Sequence, residues 1–229
     1  MTAELIVVPL RHGPFWNFSY LLGHPLTGEA AVIDPAWDVP GIVAAASERG
    51  LTIETIILTH SHSDHAHGVA ELVGLTGATV VAHARELPGV SKSYRGYVLG
   101  VTGEQWALGD IPMRLIHTPG HTRGSLSILV EGRLFTGDTL NVGSIGSPGT
   151  EAGLIEALWK TVQEPLKALP DDTTIHPGHD AGPSPSSTLG AERARIGALS
   201  VESFPAFVRE VERTTGLRFS SNDEQGIKR

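Results

Sequence analysis

ILTHSHSDHAHG, residues 57–68, sets four histidines and an aspartate directly behind a short apolar run. In an extended segment residues two apart point the same way, so His60 and His62 can present two imidazoles to one ion. Asp64 and His65 are adjacent where the chain turns into a helix, and they point elsewhere. The spacing therefore suits two ions better than one. Four ligands do not complete two sites, and three further candidates follow at strand ends: His121 in HTPGHT (117–122), Asp138 in FTGDTL (135–140) and His179 in TIHPGHD (174–180). Each lies where rigid sheet hands over to loop, the usual place for site residues. Neutral imidazole and carboxylate suit zinc, iron(II) or manganese, and a carboxylate can bridge two ions.

The composition narrows the chemistry. With no cysteine among 229 residues, disulfides, thiolate zinc sites and a cysteine nucleophile are excluded together. Lys and Arg number 17 against 25 Asp and Glu, a formal net charge of -8, with no basic block. Nucleic acid is therefore not an expected partner. The opening MTAELIVVPLRHGP carries too short an apolar run for a signal or a membrane span, so a cytoplasmic protein with no membrane partner is expected. Length and the 40% hydrophobic content fit one globular domain over 1–229; a homo-oligomer is left open.

Strands are expected over Leu5–Leu10, Phe18–Leu22 and Ala30–Ile33 as a meander, then Thr55–Leu58, Thr79–Ala82, Gln105–Leu108, Met113–Ile116, Ser125–Val130 and Arg133–Thr136, the last two joined at Glu131-Gly132. Helices are expected over Ile42–Arg49 behind Asp38 and Pro40, His67–Leu75, Glu151–Ala168 with a bend at Pro165, and a looser stretch at Ala84–Tyr94. Residues 180–190 read as a loop. Two helices close the chain, the second an amphipathic cover over 200–219 with Phe204, Phe207, Val208 and Val211 on one face, before a frayed tail at 220–229.

His12, His24 and His83 are expected to be ordinary partner residues, whereas His67, His117 and His176 sit close enough to the candidates for supporting contacts. Tyr94, Tyr97, Arg193 and Arg195 are substrate-contact candidates for which a surface role is equally open.

THSHSDH, TPGHT, TGD and HPGHD in that order resemble the metallo-β-lactamase fold superfamily, over about Leu5 to Gly197. The resemblance implies an α/β fold, a four-layer α/β/β/α sandwich of two mixed sheets flanked by helices, with metals in a cleft at one sheet edge. It implies that His60, His62 and His121 hold one divalent ion, that Asp64, His65 and His179 hold a second, and that Asp138 bridges them. NFSYLL, AVIDP, GDTLNVGSIG and HPGHDAGPSPSSTLGAER are more closely similar to glyoxalase II-like hydrolases. That likeness implies hydrolysis of a hydroxyacylglutathione-type thioester by a metal-bridging hydroxide, with zinc foremost and iron or manganese as alternatives, and with Asp64 orienting the nucleophile. The small-molecule thioester is the expected partner. Two further readings stay open on the same fold: a persulfide dioxygenase-like enzyme with a single iron(II) at His60, His121 and Asp138, and a lactonase.

Overall fold

Strands with apolar side chains on both faces belong to a sheet that is covered twice. A computed structural model, describing residues 4–219 except 95, 97, 103 and 152, has two such sheets. In the first, β1 (Ile6–His12), β2 (Asn17–Gly23) and β3 (Glu29–Ile33) form the antiparallel meander. After α1 (Val39–Ser47), β4 (Thr52–Ile57) joins β3 in parallel. The short α2 (Ser63–Ala66) and α3 (Val69–Thr76) lead to β5 (Thr79–His83), and α4 (Leu87–Ser93) to β6 (Val98–Val101), both parallel additions.

The second sheet begins with β7 (Gln105–Leu108), β8 (Ile111–His117), β9 (Leu126–Val130) and β10 (Arg133–Gly137), all antiparallel neighbours. A small hairpin, β11 (Leu140–Asn141) and β12 (Ser144–Ile145), precedes α5 (Leu154–Thr161). Then β13 (Thr174–Pro177) pairs parallel to β10, and β14 (Ser187–Thr188) leads directly into α6 (Leu189–Arg195) and on to α7 (Phe204–Thr215). The order is β14-β13-β10-β9-β8-β7.

Alternation along the strands divides the core into three. Leu21, Ala30, Val32 and Ile56 pack against Val39 and Ile42 of α1 and Leu72 of α3. Their neighbours Tyr20, Leu22, Ala31, Ile33 and Ile57 meet Met113, Leu115, Ile128 and Phe135 between the sheets. On the far face Leu134 and Ile175 pack with Leu158, Trp159, Phe207, Val208 and Val211. Three cores separate four layers, α/β/β/α, as expected. Among the described residues no helix is long and apolar enough to cross a membrane.

Several boundaries differ from the sequence expectation for local reasons. The helix expected over His67–Leu75 runs over Val69–Thr76, and a separate short helix, Ser63–Ala66, precedes it; the Gly68 N–H between them turns away to Pro35 O. Helix α5 starts at Leu154 rather than Glu151, because Gly153 is left-handed at φ +83, and it passes into a π turn at Val162–Leu166, where Pro165 has no N–H to donate. The cover expected over 200–219 is helical only over Phe204–Thr215 and ends at left-handed Gly216. Strand β6 was not expected, and β14 and the start of α6 fall in the segment read as loop. The tail at 220–229 and Tyr97 lie outside the described residues.

Candidate metal centre

All seven candidate side chains emerge at one edge of the sandwich. Strand β4 leads into Thr59–His62, α2 carries Asp64 and His65, and His121, Asp138 and His179 follow β8, β10 and β13. Backbone bonds lock the two sheets together there: Leu126 N donates to Thr59 O at 2.8 Å and Phe18 N to Gly178 O at 2.8 Å. Two glycines let the chain pack this closely. Gly137 holds φ +48, and a Cβ on it would lie 2.4 Å from Thr59 Oγ1. A Cβ on Gly178 would lie 2.5 Å from Asp138 Oδ1.

The side chains form two groups. His62 Nδ1 lies 3.1 Å from His60 Nε2 and 2.9 Å from His121 Nε2. His65 Nε2 lies 3.2 Å from His179 Nε2, and each is 3.6 Å from Asp64 Oδ2. Asp138 stands between them, with Oδ2 3.5 Å from His121 Nε2 and Oδ1 3.4 Å from His179 Nε2 and 3.6 Å from His65 Nε2. Both triads, His60-His62-His121 and Asp64-His65-His179, have the compactness an ion requires.

The rings are oriented from behind. His121 Nδ1–H donates to Ser147 O at 2.8 Å and His179 Nδ1–H to Phe15 O at 2.9 Å, since a carbonyl can only accept. The Thr59 hydroxyl donates to Asp34 Oδ2 at 2.6 Å and so accepts from His60 Nδ1–H at 3.0 Å. His65 Nδ1–H donates to Asp34 Oδ2 at 3.0 Å. For neutral rings each of these bonds fixes a lone pair on the Nε2 that faces the cluster. The triad Asp34-His60-His65 is also compact, but Asp34 is consumed as an acceptor from Thr59 N, Thr59 Oγ1 and His65, so it supports rather than ligates.

Sequence reading missed Asp34 and Asn17. Asp34 sits in AVIDP at φ +49, an unusual conformation for a non-glycine residue. Asn17 Nδ2 donates to Asp64 Oδ2 at 3.1 Å while its Oδ1 accepts from Trp37 Nε1 at 2.9 Å. Exposed Phe15, Trp16 and Trp37 form an aromatic rim on that side.

Electrostatics and donor chemistry fit cations. Asp138 Oδ1 is buried with no hydrogen-bond partner among the described residues, an expensive arrangement unless an ion meets it. Burial pushes the Asp138 carboxyl up, yet His65 above all, then His179 and His60, hold it well below the usual carboxylate range. Burial and neighbouring His65 keep His60 neutral, and burial and His121 lower His62. Burial opposes charge on His65, but Asp138, then Asp34 and Asp64, raise it to about 9. An ion beside those carboxylates would take the place of that proton. Tetrahedral coordination at about 2.0–2.1 Å puts nitrogen pairs about 3.3 Å apart, close to the separations within both groups.

The other histidines lie outside the cluster. His12 bonds Ser19 Oγ, His24 pairs with Asp110, and His67 is occupied by Trp37 N and Ser63 O. His83 stacks on His117 and His176 on Phe135. The substrate-contact candidates Arg193 and Arg195 instead serve the fold: Arg193 donates to Leu166 O, Lys167 O and Leu169 O, and Arg195 pairs with Glu192.

Burial, helped at His83 by His117 and at His176 by Arg133, lowers both rings to about 4. The unfolded chain, with histidines near 6.5, then binds more protons between pH 6.5 and 4, so stability falls as pH drops through that window. Thermal unfolding should show Tm declining there, and a His83→Gln, His176→Gln double variant should flatten that limb. An equally steep limb in the variant would remove the assignment.

Residues 13–179 match the model of the metallo-beta-lactamase superfamily. The chain belongs to this superfamily. Among relatives of this metallo-beta-lactamase superfamily member, a hydroxyacylglutathione hydrolase of Methylococcus capsulatus is 33% identical over 221 residues, covering 94% of this chain and 78% of its own. A probable polyketide biosynthesis zinc-dependent hydrolase, BaeB of Bacillus velezensis, is 27% identical over 188 residues, covering 82% and 84%. The crystal structure of ETHE1 from Myxococcus xanthus superposes with a TM-score of 0.81 at 28% identity, covering 93% of this chain and 92% of that one.

Proposed function

We propose that this metallo-beta-lactamase superfamily hydrolase cleaves small-molecule thioesters of the hydroxyacylglutathione type at a dinuclear centre. His60, His62 and His121 would hold one divalent ion, zinc foremost, and Asp64, His65 and His179 the other, with Asp138 shared. The observation that carries the reading is the Asp138 carboxylate, one oxygen turned to each triad and Oδ1 buried without a hydrogen-bond partner among the described residues. The 33% identity to a hydroxyacylglutathione hydrolase supports the substrate class.

A pair of divalent ions supplies a water acidified toward neutrality and an electrophile for a carbonyl oxygen. The residues of the chain do the rest. Asp64 turns Oδ2 to His65 and His179 and is steadied by Asn17. No described residue bonds its Oδ1, which is therefore placed to accept a proton from the attacking water and fix its direction. A departing thiol, with a pKa of about 8.5, leaves as thiolate without a strong acid, in keeping with a cluster whose side chains are acceptors.

Asp64→Asn, loaded with metal to full content, should still lose about 10²- to 10⁴-fold in kcat, the usual range for a lost proton acceptor. Full turnover at full metal content would sink that role. The reading as a whole is tested by elemental analysis with a thioester assay. Two ions per chain and oxygen-independent hydrolysis support it; a single iron with oxygen uptake on a persulfide overturns it.

A further inference from the structure

Beside His62 and His121 the cleft widens into a cavity of about 490 Å³ whose walls include Arg85, Glu86, Lys92, Arg123 and Glu151. In a chain of net charge -8, three cations share this one cavity. Its two carboxylates are already engaged. Glu86, buried, accepts from Ser61 N at 2.9 Å, Ser61 Oγ at 2.5 Å and Gly124 N at 2.9 Å. Glu151 accepts from Arg123 Nε at 2.5 Å. The side chains of Arg85 and Lys92 have no hydrogen-bond or ion-pair partner among the described residues.

The wall is braced from behind. The His83 and His117 rings stack at 4.1 Å and 11°. His83 Nδ1 accepts from Arg85 N at 3.1 Å, and His117 Nε2–H donates to Arg123 O at 2.9 Å. The stack thus joins the two segments that carry the arginines, while Glu86 ties both to the His60–His62 loop through Ser61. A cationic wall fixed in register with two candidate metal ligands, and holding unspent donors, is built to receive an anion.

We infer that this cavity is an anion subsite: Arg85 and Lys92 take a carboxylate or phosphate at the far end of the substrate and so select anionic thioesters over neutral ones. Specificity for that class rests on the thioester hydrolysis proposed above, whereas binding of the anion does not. The two measurements separate them.

Calorimetry on the metal-loaded protein with S-methylglutathione, a thioether carrying carboxylates, and with 4′-phosphopantetheine tests binding and tells the anion's source. The wild type should bind one or both. Arg85→Gln, Lys92→Gln should weaken that binding about tenfold or more per charge removed, in line with the worth of a charge-assisted hydrogen bond, and Arg85→Lys should restore part of it. Metal content reports that the variant is folded.

Kinetics on thioesters with one acyl group and either glutathione or neutral N-acetylcysteamine as the thiol should give a kcat/KM preference for glutathione that shrinks in the double variant. No binding of either probe, or affinity and preference unchanged by the substitutions, overturns the subsite. Binding that depends on Arg85 and Lys92, with neither thioester hydrolysed, keeps the subsite and overturns the hydrolase reading instead.

Discussion

Asp138→Ala should yield a folded chain that no longer retains two ions and that hydrolyses thioester at least about 10²- to 10³-fold more slowly. Loss of an outer partner of a ligand typically costs about 10- to 100-fold, and Asp138 faces both triads directly. Among the described residues its removal withdraws the one carboxylate common to the two groups and leaves five imidazoles with Asp64 to balance two dications. Asp138→Asn separates charge from shape, because the amide keeps the volume and one acceptor but not the negative charge. Elemental analysis and kcat/KM check the pair, and two firmly held ions in Asp138→Ala would remove the shared role.

The second large effect is expected at a residue that would touch no metal. Asp34 accepts from Thr59 N at 2.7 Å, Thr59 Oγ1 at 2.6 Å and His65 Nδ1 at 3.0 Å, all buried. In Asp34→Asn an NH₂ must face one of those donors, so a buried polar group is left unpaired at a cost of about 1–3 kcal/mol. If the amide nitrogen takes the position facing His65, the ring loses the acceptor that holds its proton on Nδ1. Affinity at the second triad should fall about 10- to 100-fold, with Tm lowered as well. Competition against a chelator measures the first, thermal unfolding the second. Unchanged affinity with lowered Tm would confine Asp34 to a structural role.

How much of this was legible follows from the range of each signal. Most strands and the HxHxDH run could be read because alternation and two-residue spacing act locally, with Leu21 and Leu22 pointing to different cores by pleat alone, whereas the four layers came from the family resemblance. The order THSHSDH, TPGHT, TGD, HPGHD carried the rest of the candidate cluster. Asp34 and Asn17 escaped because nothing within a few residues of either says that it will face the cluster across the sheet edge; only a non-glycine aspartate before a proline at a strand end hinted at Asp34. Glu86 left no signal, its three donors coming from Ser61 and Gly124, distant in sequence. Of the two roles left open for Arg193, its bonds favour the structural one, since it spends its donors on the carbonyls of Leu166, Lys167 and Leu169.

The bond from His179 to Phe15 O joins residues 164 positions apart, and it orients one ring of the second triad. No shorter segment of the chain can set that ring. During synthesis the first triad's histidines, 60, 62 and 121, leave the ribosome well before His179 does, yet the His121 ring waits for Ser147 O, 26 positions further along the chain. An ion held there as proposed would therefore be captured late in the life of the nascent polypeptide, once almost the whole sandwich has closed.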